Sequence, residues 1–435
     1  MGLYSSAGGS ESRFAAYVEA MTSALGHADR AAPFRSYCAG LLLPGDRKSV
    51  EPMAARVQPE RVQAAHQSLH HFVAKSDWSD DAVLAAVRAQ VLPVIERRGA
   101  IRALIIDDTG MPKKGKHSVG VARQYCGQRG KQDNCQVAVS LSAANDHASL
   151  PIAYRLYLPH EWVDDPDRRA AAGVPDDVAF QTKPQIALDQ LRAARAAGID
   201  AEIALADAGY GNDTDFRDGI TELGLAYAVG IQSSTSLWPP GVEPLPARPW
   251  SGRGRPTSAI RRDGAHRPIS ARQLALDLPK KAWRRVTWRE GTNTELASRF
   301  AAVRVRPAHR DYQRATPRPE EWCLIEWPAD EPEPTKYFLS TLPATISRRA
   351  LVNAAKLRWR IERDYQDLKQ ELGLGHYEGR GWRGFHHHAT LCIAAYGFLI
   401  SERGAIPPSA QRKALPIKEP RLPDGFRPRG SPDPT

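Results

Sequence analysis

Between Ile101 and Ser234 the apolar residues change their period several times in a fixed order, and that order restricts the possible folds more than any other property of the chain. The run ALIIDDTG is short, apolar and ends in two carboxylates, as a buried strand would. After a basic, Gly-containing loop, MPKKGKHSVGVARQYCGQRGKQDN, the segment CQVAVSLSAAN alternates with period two, and ASLPIAYRLYLP reads as a third strand. Strands that follow one another this closely predict an antiparallel meander at the edge of a mixed sheet. WVDDPDRRAAAGVPDD is then a polar loop. KPQIALDQLRAARAAG reads as a helix, AEIALADAGYG as a buried strand, TDFRDGITELG as a helix and LAYAVGIQSS as a strand.

Strand, strand, strand, helix, strand, helix, strand, with a further helix downstream, is the order of a ribonuclease H-like (RNase H-like) α/β core. Residues 1–98 read as a separate helical module. FAAYVEAMTSAL and VQAAHQSLHHFVAKS are apolar-periodic, and SDDAVLAAVRAQVLPVIERR opens with a Ser79 or Asp80 cap. Its basic loops suit DNA binding, although packing alone would explain the pattern too. The core then runs over 99–232 and resumes at 336–403. Residues 233–335 interrupt it with strand-like pieces such as KAWRRVTWRE, SRFAAVRVRP and EWCLIEWP, which read as a β-rich insertion. Its basic lobe, from Ser251 to Arg285, holds ten Lys/Arg against Asp263 and Asp277. The tail, 404–435, is dense in Pro and charge and reads as disordered.

The net charge of +11 suits a polyanionic partner, of which double-stranded DNA is the commonest kind. Five cysteines stand without CxxC spacing, so neither a zinc site nor a disulfide framework is indicated, and reduced thiols in a cytoplasm fit best. No apolar run approaches the roughly 20 residues that a membrane span needs.

The helix expected over residues 351–372, LVNAAKLRWRIERDYQDLKQEL, has no Gly or Pro. At about 100° per residue, Arg358, Glu362 and Lys369 fall within roughly 40° of one another. That places an acid between two bases beside the apolar stripe. A solvated ion-pair face is the plainer reading of Arg358 and Glu362 at i, i+4. Upstream acids change the balance. Asp107 and Asp108 end one strand of the core and Asp207 ends another, and side chains at the carboxyl ends of neighbouring strands converge in open α/β sheets. A single Asp in such a position is usually a turn or cap residue. Three carboxylates in one cleft raise one another's pKa unless a cation holds them together. Oxygen donors with open positions select Mg2+ or Mn2+, and two such ions can activate a water or a 3′-hydroxyl against a phosphodiester.

The phrase RWRIERDYQDLK resembles the Y-x2-R-x3-E-x6-K signature of bacterial insertion-sequence transposases of the DDE superfamily. Arg358, Glu362 and Lys369 match it in register, while Ala355 takes the place of the Tyr. IIDDTGMPKKGKHSVGVARQYCG, ALADAGYG and ELGLGHYEGRGWRGFHHH are similar to relatives of that group, so the resemblance spans residues 34–400. It implies an RNase H-like catalytic core with a β-rich insertion between the second and third acids, and cut-and-paste movement of an element with inverted repeats. It further implies a catalytic, metal-binding set of Asp108, Asp207 and Glu362 holding Mg2+ (or Mn2+), two ions per site. Asp108 aligns with the family's Asp-Thr pair through Thr109. Asp107 is the runner-up, because adjacent strand residues face opposite sides. By the same resemblance, Arg358 and Lys369 hold DNA phosphates beside the scissile bond. The partners implied are terminal inverted repeats and target DNA, with a homodimer at synapsis and a bacterial cytoplasmic, nucleoid-associated location. A domesticated DNA-binding regulator and a repair or recombination nuclease are the rival readings on the same fold.

Other DNA contacts are read from charge. Lys113, Lys114, Lys116, His117, Arg123 and Lys131 crowd the loop after the first acid, and Arg253 and Arg255 form an RGRP core like that of an AT-hook. A solvated hairpin would also explain the first group. His386, His387 and His388 cannot all face one ion on a helix, so packing or DNA contact is expected of them. Most tryptophans, Trp238, Trp250 and Trp283 among them, are expected in the core, with one a possible stacking residue for a flipped base.

Overall fold

The computed structural model describes residues 9–253, 258–290 and 295–405. Five helices open the chain: α1 (Ser10–Thr22), α2 (Ala31–Leu42), α3 (Val50–Val57), α4 (Val62–Ala74) and α5 (Asp80–Glu96). Ser79 does cap α5, its hydroxyl accepting from Ala82 N at 3.2 Å. The first stretch of the core follows as β1 (Ala103–Pro112), β2 (Ala122–Cys126), β3 (Lys131–Ala144), β4 (Ser149–Leu156), α6 (His160–Val163), α7 (Pro166–Ala172) and α8 (Lys183–Ala196). Next come β5 (Ile203–Ala206), α9 (Ala208–Gly211), α10 (Thr214–Glu222) and β6 (Ala226–Ile231). The insertion contributes β7 (Ser236–Trp238), β8 (Ile269–Ser270), α11 (Ala271–Asp277), β9 (Arg284–Glu290), β10 (Glu295–Pro307) and β11 (Glu321–Trp327). The chain returns through β12 (Lys336–Ser340) to α12 (Arg348–Lys356), α13 (Trp359–Gln370) and α14 (Trp382–Ala405).

The predicted meander is present: β4 pairs antiparallel with β3, and β3 with β1. From there β1, β5 and β6 run parallel. Strand β2 lay hidden in the basic loop and forms a hairpin with β3. Its five residues, ARQYC, set Gln124 inward and Tyr125 outward, so it lacks the apolar alternation that reveals a strand in sequence. The insertion strands do not fold away from the core. β12 lies antiparallel beside β6, β11 beside β12 and β10 beside β11, so one sheet runs from the meander into the insertion. Leu324 and Phe300 of that extension share an apolar cluster with Ile105, Leu205 and Leu357.

The expected single helix over 351–372 is divided instead. At Leu357 and Arg358 the backbone stays right-handed, but Arg360 N and Ile361 N bond to the carbonyls three residues back, at 3.1 and 3.2 Å. This local tightening redirects the axis between α12 and α13 without Gly or Pro. Leu351, Val352, Leu357 and Ile361 remain buried across the junction, anchoring both pieces to the same sheet face. Such side chains contribute about 1.5–3 kcal/mol each, so the join is held by packing rather than by helix continuity.

Helix α14 is buried at every position from His387 to Phe398, on all sides, as befits a helix surrounded by other elements. It packs on α5, α2, α4 and β4 and so joins the N-terminal helices to the sheet. The histidine run lies in this joint. His387 stacks on Trp78 at 3.7 Å between ring centroids, and its two nitrogens face the carbonyls of Val73 and Trp78. His388 meets the Tyr37 hydroxyl at 2.9 Å and the Gly373 carbonyl at 3.1 Å, while His386 Nε2 accepts from Leu156 N. Packing therefore accounts for the run. Among the described residues no helix is long and apolar enough to cross a membrane.

Candidate active site

Side chains alternate across β1, and the two faces have different partners. Ala103 and Ile105 cluster with α12 and α13, whereas Leu104 and Ile106 join the core that contains Ile186 and Leu191 of α8. Asp107 belongs to the first face and Asp108 to the second. Asp107 Oδ2 accepts from Arg358 at 2.7 Å, and Asp107 stands opposite Ser140, whose hydroxyl meets that of Tyr365 on α13 at 2.8 Å. Asp108 Oδ2 instead accepts from Lys183 Nζ at 2.8 Å. Lys183 is the first residue of α8, fixed there by a capping box between Thr182 and Gln185.

Asp207 leaves the end of β5. Ile105 lies opposite Leu205 in the parallel register, so Asp207 follows beside Asp107 two residues further on. It caps α9, its Oδ1 accepting from Gly209 N at 2.8 Å. This turn is set by glycine on the adjoining strand: a Cβ at Gly230 would lie 2.8 Å from Ala208 N and 3.1 Å from Asp207 C. Gly211 likewise sits against the Gly230 carbonyl with no room for a side chain. The ADAGYG phrase thus combines an acid with the small residues that let its turn press against β6.

Glu362 projects from the first turn of α13, its side chain 62% exposed, and accepts from Arg358 Nη2 at 3.1 Å. Arg358 is the hub. One guanidinium bridges Asp107 and Glu362, and Asp207 also lies within its electrostatic reach. Burial opposes its charge, but Asp107, Asp207 and Glu362 together outweigh burial, and its pKa lies above the ordinary arginine value. Asp107 is pushed up to about 6, chiefly by burial, with Asp207 and Asp108 adding to the rise and Arg358 opposing it. Lys369, the other signature base, donates to the Gly110 carbonyl at 3.2 Å, one turn of strand beyond the acids. Burial lowers its pKa while Cys126, Asp107 and Asp108 pull it back up. Ala355 is buried in the α12 face of the cluster, where no hydroxyl is presented.

Every donor in this group is a carboxylate oxygen, which suits a hard divalent cation. A guanidinium already stands among the acids as a cation would. In this arrangement, no three His, Cys, Asp or Glu side chains among the described residues are gathered around one metal position. The donor set fits the ion in chemistry, and in this arrangement Arg358 links Asp107 to Glu362.

The remaining candidates separate by exposure. Lys114, Lys116, His117, Arg123 and Lys131 are exposed on the loop and the β2–β3 hairpin, with Tyr125 beside them, 61% exposed. Lys113 is turned inward, its amine donating to the Tyr377 carbonyl at 2.7 Å. Arg253 is exposed, and Arg255 lies outside the described residues, as does the tail from residue 406. Trp238 is buried and donates to Asp311, Trp283 packs edge-on to Trp327, and Trp250 is exposed. Sequence reasoning did not anticipate Lys183 as the partner of Asp108, nor the Tyr365–Ser140 contact behind Asp107. The capping phrase T-K-P-Q marks a helix start, but nothing in it says which acid the lysine meets.

An RNase H-like sheet with acids at the ends of its central parallel strands defines the class. The chain belongs to the DDE superfamily endonucleases, whose family profile matches residues 20–295, a span that includes Asp107, Asp108 and Asp207 and ends before Glu362. Endonucleases of this superfamily generally depend on divalent metal ions. The chain is also similar to the probable transposase for insertion sequence element IS701 of Microchaete diplosiphon, 33% identical over 169 residues. The aligned segment covers 39% of this chain and 41% of that relative.

Proposed function

We propose that this protein is a DNA transposase that hydrolyses phosphodiesters at the ends of an insertion sequence and joins the freed 3′-hydroxyls to target DNA. The observation that carries the reading is the shared face: Asp107 and Asp207 on adjacent parallel strands and Glu362 on the helix packed beside them all act on one guanidinium. Family membership and the likeness to a probable transposase support it.

On this reading Asp107, Asp207 and Glu362 would hold Mg2+ or Mn2+, as two ions, with Asp108 as the alternative first acid. Bound there, the metal supplies Lewis acidity and offsets the charge that develops on the phosphodiester. The chain's own residues do the rest. Arg358, a planar fork suited to a phosphate, would be free to hold a DNA phosphate once the carboxylates were otherwise neutralised. Lys369 stands over the strand end as a second phosphate contact. Lys183 keeps Asp108 on the α8 face. The exposed bases of the β2–β3 hairpin, Arg123 and Lys131, with Lys114, Lys116 and His117 before them, track the duplex backbone, and Arg253 extends that path. Two such proteins meet at synapsis, one on each terminal inverted repeat.

The test is cleavage and strand transfer on end-sequence duplexes in Mg2+, with Asp107→Asn, Asp108→Asn, Asp207→Asn and Glu362→Gln beside the wild type. Loss of both steps in the Asp207 and Glu362 variants is expected. Cutting at wild-type rates by either removes that residue from the chemistry, and cutting without any joining would favour a nuclease.

A further inference from the structure

A second charged cavity lies behind α13, away from the carboxylates. It encloses about 180 Å³ between α5, the β3–β4 turn, α13 and the end of α14. Liquid water occupies about 30 Å³ per molecule, so the space suits a compact anion rather than a single solvent molecule. Four guanidiniums line it: Arg98, Arg360, Arg363 and Arg403. Among the described residues, Asp364 and Asp367 on α13 answer them, with Asp146, already held by Arg102, also acting on Arg360. Asp367 takes both Arg363 and Arg403, each at 3.1 Å. Asp364 is fully buried and already engaged by Ser142, Ser149 and Tyr396.

Two observations indicate that the positive charge awaits a ligand. Arg360 is 9% exposed, its Nη2 donates to the Asp146 carbonyl, and its Nε finds no acceptor among the described residues. A buried guanidinium N–H without an acceptor costs about 1–3 kcal/mol, and an anion in the cavity would relieve it. Arg98, at the mouth, makes no side-chain hydrogen bond or ion pair among the described residues. Val94, Ile95 and Ile400 complete the wall together with the polar side chains of His147, Ser149 and Tyr396.

We infer that this cavity is a binding site for a small phosphate-type polyanion, such as pyrophosphate or the phosphates of a free nucleotide. At about 100° per residue, Arg360 and Asp364 sit roughly 160° from Glu362 around α13. A duplex lying along the carboxylate face therefore cannot also fill the cavity, which favours a free anion over the DNA backbone. The chain's own tail is a poor occupant as well, since residues 406–435 carry six Lys/Arg against three acids.

The experiment is titration of the full-length protein with inorganic pyrophosphate, read by calorimetry and by the shift in melting temperature. The wild type should show saturable binding and a rise in Tm. Arg98→Gln/Arg403→Gln alters two exposed side chains and leaves Arg363 on Asp367, so the fold is kept; it should weaken binding by about tenfold or more, as expected for loss of two charge-assisted contacts. Lys280→Gln/Arg284→Gln, in the basic insertion, should bind as the wild type does. Absence of saturable binding to the wild type overturns the inference. So does equal binding by the Arg98/Arg403 variant, or an equal loss in the insertion variant, which would mark nonspecific attraction to a basic protein. Displacement of bound pyrophosphate by duplex DNA would assign the cavity to the DNA backbone and overturn the free-anion reading.

Discussion

Two groups of titratable side chains in this protein, one buried and one opening to solvent at Glu362, are held in opposite ways. The three histidines that open α14 are consecutive in sequence, and their nitrogens face main-chain groups and a tyrosine hydroxyl. Asp107, Asp207 and Glu362 come from distant parts of the chain and share a single arginine. Main-chain partners cannot leave; a guanidinium on a flexible stem can. Burial draws each histidine down to about 4, so the rings stay neutral and serve as wedges. The acid group is held by a side-chain cation that can exchange, as the proposed binding of metal and substrate requires.

That contrast can be broken most directly at the acids. Asp207→Asn and Glu362→Gln should each lower end cleavage on the order of a thousandfold or more while leaving urea stability near the wild type. Asp107→Asn should match them and Asp108→Asn should cost far less, because only Asp107 shares their face. The reverse ranking in the same assay would move the first acid to Asp108. The histidines should behave in the complementary way. His387→Ala removes a ring stacked on Trp78 and should cost about 2–4 kcal/mol by urea unfolding, with cleavage per folded molecule unchanged.

Acid titration sharpens the comparison further. The ordinary histidine pKa is about 6.5, so between pH 6.5 and 4 the unfolded chain binds protons that the native rings refuse. Their contribution is intact above that window and lost as pH falls through it, by about 3 kcal/mol per ring at most. Asp107 and Asp364, both pushed up to about 6 with burial as the leading cause, work in the opposite direction as pH rises from about 4 to 6. Urea melts across this range should therefore decline toward acid less steeply in His387→Phe than in the wild type. The smallest effect is expected at Gly230→Ala, where the added Cβ meets the backbone of Ala208 and Asp207. A cost of about 2 kcal/mol is expected, together with reduced cleavage from a displaced Asp207, measured on one preparation.

Much of this fold could be read from period and punctuation. The meander, α8, α10 and the parallel strands fall where the patterns put them, because each of those strands buries an apolar face and each helix a stripe, whereas the polar loop expected over WVDDPDRRAAAGVPDD contains α7 with little buried surface to reveal it. Strand β2 could not be read, since five residues with Gln124 turned inward and Tyr125 outward show no apolar alternation. Nor could the division of α12 from α13, because Leu357 and Arg358 are good helix formers and the bend comes from packing both pieces onto a twisted sheet. Of the site, Asp207, Glu362 and the bases Arg358 and Lys369 were visible as types at telling positions. Which of two adjacent aspartates joins them was not.

The sequence alone determined the order of the elements, the positive charge and the supply of acids at strand ends, because these depend on local period and composition. Only tertiary structure decided that Asp107 turns to α13 and Asp108 to Lys183, that one arginine links Asp107 to Glu362, and that the insertion strands continue the core sheet. Those outcomes depend on which faces meet between distant parts of the chain, and no local pattern carries that information.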